Sequence, residues 1–142
     1  MIRSLFAIIA VVAAFTAFAD DAAKTSPAKD SRFFEMRTYH AAPGKLQALN
    51  ARFRDFTNKL FIKHGMEMIG YWVPVDKEGK PEDTLVYILA FPSHAARDKA
   101  WKEFTDDIEW QAVKAESEKN GPLLVGRPES VFMTATDYSP IK

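Results

Sequence analysis

Residues 33–65, FFEMRTYHAAPGKLQALNARFRDFTNKLFIKHG, decide the fold. The stretch opens with alternating aromatic and polar side chains from Phe33 to His40, the period-two pattern of a strand, and Pro43-Gly44 breaks it. From Lys45 to Lys63 the period changes. Leu46, Leu49, Phe53, Phe56 and Leu60 follow one another at steps of 3, 4, 3 and 4. That spacing predicts one apolar stripe on a helix of about five turns, with Gly65 as its C-terminal cap. A strand and then an amphipathic helix open an α/β-type unit, and the rest of the chain says which one.

Met66 to Val75 reads as a second strand, with Ile69, Tyr71 and Val73 opposed to Met66, Met68 and Trp72. Asp76 to Asp83 holds Gly79 and Pro81 and no large apolar residue, as a hairpin loop does. Thr84 to Phe91 is nearly all apolar, which predicts a central, buried strand. Ser93 is placed to cap a helix carrying Ala96, Ala100, Trp101 and Phe104. Asp106, with Glu109 three residues on, starts a further helix to about Glu118, and Asn120-Gly121-Pro122 ends it. Ser130 to Asp137 is the last strand. The order β-α-β-β-α-β predicts an α+β, ferredoxin-like domain with an antiparallel sheet. Phe33, Glu35, Arg37 and Tyr39 alternate onto one sheet face, and Phe34, Met36, Thr38 and His40 onto the other. Both faces carry large side chains, so the face without helices needs a cover, and a homodimer supplies one.

Outside this domain, residues 1–19 have the parts of a cleavable signal peptide. Arg3 starts it, Leu5 to Ala14 is an unbroken apolar run, and Ala17-Phe18-Ala19 puts small residues before a cut after Ala19. The apolar run is too short for a spanning helix of about 20 residues. A periplasmic or secreted location follows, with no membrane association after cleavage. Residues 20–31 lack large apolar side chains and read as a flexible linker, leaving 32–142 as the domain. The chain of 142 residues has 19 Lys and Arg, 19 Asp and Glu, and no cysteine. Near-neutral charge excludes the basic footprint of a nucleic-acid binder, and the missing thiols exclude disulfides and thiol chemistry. Hydrophobic residues at 47% and aromatics at 13% exclude a disordered chain.

Glu35-Met36-Arg37-Thr38-Tyr39 followed by Pro43-Gly44-Lys45-Leu46 resembles the opening of a NIPSNAP domain. Lys63-His64-Gly65 running into Ile69-Gly70-Tyr71-Trp72 is similar to the same family, as are Ala100-Trp101 and Asp107-Ile108-Glu109-Trp110 to its closing helical region. The resemblance spans about residues 33–138. It implies a dimeric α+β barrel, two ferredoxin-like sheets packed face to face, and it implies no particular chemistry. The family's trafficking and mitochondrial roles do not carry over to a short, single-domain, exported chain.

Three sets of residues are candidates for function. His64 continues the helical stripe, four residues after Leu60, and projects from it toward the sheet. A neutral imidazole there is suited to act as a base or a ligand, and equally to cap the helix end. Glu35, Arg37 and Tyr39 share one strand face, where they would orient a polar ligand in a barrel interior or fix the register of a dimer through a Glu35–Arg37 network. Tyr71, Trp72, Trp101 and Trp110 form either an aromatic wall for a flat ligand or ordinary core. Reading the first and third strands as parallel neighbours places His40 and His94 at one sheet end and His64 at the other. No metal and no cofactor is the expectation, with a two-histidine site at His40 and His94 as the lesser alternative. Phosphate-loop, nucleophile-elbow and zinc-protease motifs are missing. The leading expectation is therefore a homodimer that binds a small hydrophobic or aromatic molecule. The alternatives are a cofactor-independent monooxygenase or isomerase with His64 as base, and a protein-interaction module.

Overall fold

The computed structural model describes residue 28 and residues 30–142; the expected leader, 1–19, and most of the expected linker lie outside them. Strand β1, Phe33–His40, runs through the middle of the domain because three other segments depend on it. It pairs with β3, Thr84–Phe91, on one side and with β4, Glu129–Thr134, on the other. β2, Glu67–Trp72, adds to the far edge of β3, so the sheet order is β2-β3-β1-β4. Every neighbouring pair is antiparallel. The domain has the ferredoxin-like α+β architecture.

This corrects one expectation. β1 and β3 are antiparallel neighbours, because the crossover helix makes β1 and β2 the like-directed pair and the β2–β3 hairpin turns the chain back between them. His40 stands opposite Thr84, where β3 begins, whereas His94 follows the end of β3 and stacks edge-on against Phe33 with ring centroids 4.9 Å apart. An eight-residue strand, roughly 24 Å long, separates them. No two-histidine site forms. His94 faces Asp98 at 3.3 Å, and His40 faces Glu129 at 3.2 Å.

The predicted five-turn helix is one continuous helical segment with an irregular centre. α1, Leu46–Arg52, passes into a π-helical turn, Phe53–Thr57, and then into α2, Asn58–Lys63. A π turn holds one more residue than an α turn, so it rotates every later side chain relative to the 3-4-3-4 stripe. Phe56, expected on the buried face, is 49% exposed, and Thr57 and Phe61 are buried in its stead. A second helical stretch covers the same sheet face. α3, His94–Asp106, is capped by the Ser93 hydroxyl, which accepts from the Ala96 N–H. α4, Ile108–Ser117, is capped by Asp107 and not by Asp106; its carboxylate accepts from the Glu109 N–H at 2.8 Å.

Beneath these helices lies the core: Tyr39, Leu49, Phe53, Leu60, Phe61, Leu85, Tyr87, Leu89, Phe91 and Phe104 pack together. Alternation in β2 is interrupted by a bulge between Met68 and Gly70, which puts Met68 and Tyr71 on the helix side and Ile69 on the other. Gly70 belongs to that irregularity: a Cβ there would stand 2.7 Å from the Trp72 ring. The face that no described helix covers carries Phe34, Ile69, Ile88, Ala90 and Met133, with the C-terminal Ser139 and Ile141 beside part of it. By register, Met36, Val86, Val131 and Trp72 share it, with Trp72 51% exposed.

Candidate functional site

The first polar feature the fold creates is centred on Glu35. Strand alternation turns Glu35 toward the helices, where it is 0% exposed. Arg97 from α3 grips it with two bonds, Nε to Oε2 at 2.8 Å and Nη2 to Oε1 at 2.7 Å. The Trp101 indole donates to Oε2 at 2.7 Å, Arg37 Nη1 to Oε1 at 2.9 Å and the Ser130 hydroxyl to Oε1 at 2.9 Å. Burial on its own would raise the carboxyl pKa. The bonds from Arg97 and Trp101, the Arg37 charge and the Ser130 bond overcome it and hold the group at about 2. This face is roofed by helices of its own chain, so Glu35 and Arg37 do not form the expected register network between two subunits. They tie β1 to α3 and β4. Arg37 also lies over the Trp101 ring, 4.4 Å from its centroid.

A cavity of about 340 Å³ opens beside this network, between the far end of β1 and the helices. Tyr39, Phe53, Phe61, Phe104 and Trp110 supply its aromatic walls. Arg52, Lys114, Glu118 and Arg127 are the charged residues on it, and the loop from Pro122 to Pro128 closes one side. The π turn shapes this cavity directly, since Phe53 and Thr57 both line it and Arg52 immediately precedes it. Arg52 is only 5% exposed. Its Nη1 donates to Glu118 at 2.9 Å and to Ser117 at 3.3 Å, its guanidinium sits 5.3 Å from the Trp110 ring centre, and its buried Nε has no partner among the described residues. At the cavity's other wall the Tyr87 hydroxyl donates to the Tyr39 oxygen at 2.9 Å. Burial first, and then the neighbouring Tyr39, push the Tyr87 pKa well above the usual phenol value, so it remains a donor.

Of the residues expected to bind a ligand, Tyr39 and Trp110 line this cavity. Glu35, Arg37 and Trp101 form the adjoining ion network. Tyr71 donates to Asn58 at 2.8 Å and stacks on Tyr87, and burial raises its pKa. Trp72 stands apart from all of them on the uncovered sheet face. His64 does not reach the cavity either. It is the C-cap of α2, and its Nε2 donates to Asp107 at 2.7 Å, where Lys63 also bonds the carboxylate. The bonds from Lys63 and then from His64 hold the Asp107 carboxyl far below its usual range. His64 thus joins the end of α2 to the start of α4. His64→Ala is expected to lower stability by about 1 kcal/mol, as loss of a charge-linked hydrogen bond does, and to leave Trp110 emission unchanged. Thermal melts read together with fluorescence check both parts.

The sequence reading missed Arg52, Thr57, Phe61 and Arg97. Arg52 lies three residues after Leu49, inside the width of the helical stripe, and a cation at that position was the available signal.

A profile of the NIPSNAP family matches residues 34–140. A NIPSNAP family protein of Agrobacterium tumefaciens superposes with a TM-score of 0.68 at 23% identity, covering 82% of this chain and 100% of that one. An uncharacterized NIPSNAP-like domain protein of Burkholderia xenovorans gives 0.67 at 19% identity, covering 78% and 90%. A Streptomyces coelicolor monooxygenase in complex with nanaomycin D gives 0.51 at 15% identity, covering 80% and 95%. At such identities these structures share the fold alone. No curated protein matches the chain significantly.

Proposed function

The chain belongs to the NIPSNAP family, and from that footing we propose that it is an exported homodimeric domain that binds a small hydrophobic or aromatic molecule between its sheet and its helices. The observation that carries this reading is the 340 Å³ cavity walled by five aromatic rings, a volume within the usual range of roughly 300–1,000 Å³ for small-molecule sites. Its fold relative from Streptomyces holds nanaomycin D, so this architecture accommodates a small ligand. The dimer is supported by the sheet face that no described helix covers, where Trp72 and Val131 are about half exposed beside Phe34, Ile69, Ile88 and Met133. An apolar face of that kind is what a second copy covers. Export rests on the pattern of residues 1–19.

Native mass spectrometry of the chain, produced with its leader and recovered from the periplasm, tests all three parts. The expected species lacks residues 1–19, has the mass of a dimer and carries a reproducible additional mass. Leu124→Trp, which fills the cavity from the closing loop, is expected to lose that mass and keep the dimer. A monomer overturns the dimer, an uncut chain overturns export, and an additional mass that survives Leu124→Trp overturns the cavity as its site.

A further inference from the structure

The cavity's free hydrogen-bond donors and its charge point to one class of guest. Tyr87 is wholly buried and spends its proton on the Tyr39 oxygen, which leaves the Tyr39 proton without an acceptor among the described residues. Arg52 spends Nη1 on Glu118 and Ser117, and its Nη2 makes no hydrogen bond among the described residues. Of the side chains on the wall that can accept, Glu118 has its Oε1 held by Arg52, and Thr57 has spent its proton on the Arg52 carbonyl at 3.2 Å. Charge leans the same way, with Arg52, Lys114 and Arg127 against Glu118. A neutral apolar guest would leave two donors unmatched in a poorly solvated site, and an amine would meet three cations. The surrounding rings, Tyr39, Phe53, Phe61, Phe104 and Trp110, suit a flat guest.

We infer that the ligand of this cavity is a planar aromatic anion, whose carboxylate or phenolate oxygens take the free N–H of Arg52 and the free O–H of Tyr39. This rests on the binding reading above and adds the ligand's chemical class and the two residues that select it. Tyr87 acts through Tyr39, since its donated bond aims the Tyr39 proton into the cavity and strengthens it as a donor.

The test compares 2-naphthoate with 2-naphthalenemethanol, a neutral probe of the same ring and nearly the same size, by quenching of tryptophan emission. The full chain is expected to bind naphthoate about tenfold more tightly than the alcohol, the ratio that one charge-assisted contact supplies. Arg52→Gln is expected to bring the ratio near one, chiefly by weakening the binding of naphthoate. Should Arg52→Gln not fold, Arg52→Lys, which keeps the charge beside Glu118 and lacks the second guanidinium nitrogen, is expected to lower the ratio severalfold. Equal or tighter binding of the alcohol by the unaltered chain overturns the ligand class and leaves the cavity reading standing. An unchanged ratio in the Arg52 variants overturns Arg52 as the selecting residue. Binding of neither probe, or binding that persists in Leu124→Trp, overturns the inference together with the cavity reading.

Discussion

Glu35→Ala is expected to destabilise the domain by about 3–5 kcal/mol, because removing one member of a buried ion cluster strands the others. Five donor bonds end on this carboxylate. Without it Arg97 and Arg37 keep their charge and lose the group that balances it. The loss is comparable with much of a small domain's total stability, so the melting temperature should fall by about 15 °C or more. Removing Arg97 as well is expected to cost less than the sum of the two single changes, since the partners no longer face an absent charge. Acid should act on the same group. Its folded pKa of about 2 lies below the value near 4.5 of a free glutamate, so its contribution is complete above about pH 4.5 and is lost as pH falls toward 2. Denaturant melts of the unaltered chain and of Glu35→Ala between pH 7 and 2.5 should converge in stability at the acid end. Parallel curves across that range would remove Glu35 as the source.

Phe61→Ala is the second large effect, expected at about 3–5 kcal/mol. Phe61 is 1% exposed and meets Phe53, Tyr87, Trp101 and Phe104 at ring distances of 5.0–6.1 Å. Phe56→Ala, five residues earlier, is expected to change stability by less than about 1 kcal/mol, as surface substitutions do. A regular α-helix would bury Phe56 with the Leu49–Phe53–Leu60 stripe. The two variants, measured by urea unfolding, therefore test the π turn itself. A large loss at Phe56 would mean that the helix is regular through this region.

The contrast shows where sequence reading succeeds and stops. Element order and sheet composition follow from period and turn chemistry, and the chain displays both openly: alternation in Phe33–His40, Gly65 after the helix, Ser93 before the next. The π turn has no such mark. FRDFT is as compatible with an α turn as with a wider one, and tertiary packing decides between them. Everything downstream of it, including Phe61 in the core and Thr57 on the cavity, was hidden for that reason. Alternation places Glu35, Arg37 and Tyr39 on one face and carries no mark of which layer covers that face. His64 was read from the unbroken helical period, and its partner Asp107 lies on a different helix, 43 positions along the chain.

Gly70 lets the Trp72 ring lie close over the β2 backbone on the uncovered face, while Trp110 stands in the cavity wall and Trp101 is bonded to Glu35. The domain thus carries one natural fluorophore for each of its three environments. Trp72 emission should shift to the blue when a second copy dries that face, Trp110 should be quenched by a guest, and Trp101 should hold steady until the chain unfolds. Single-tryptophan versions would let association, loading and unfolding be followed separately, with no label attached.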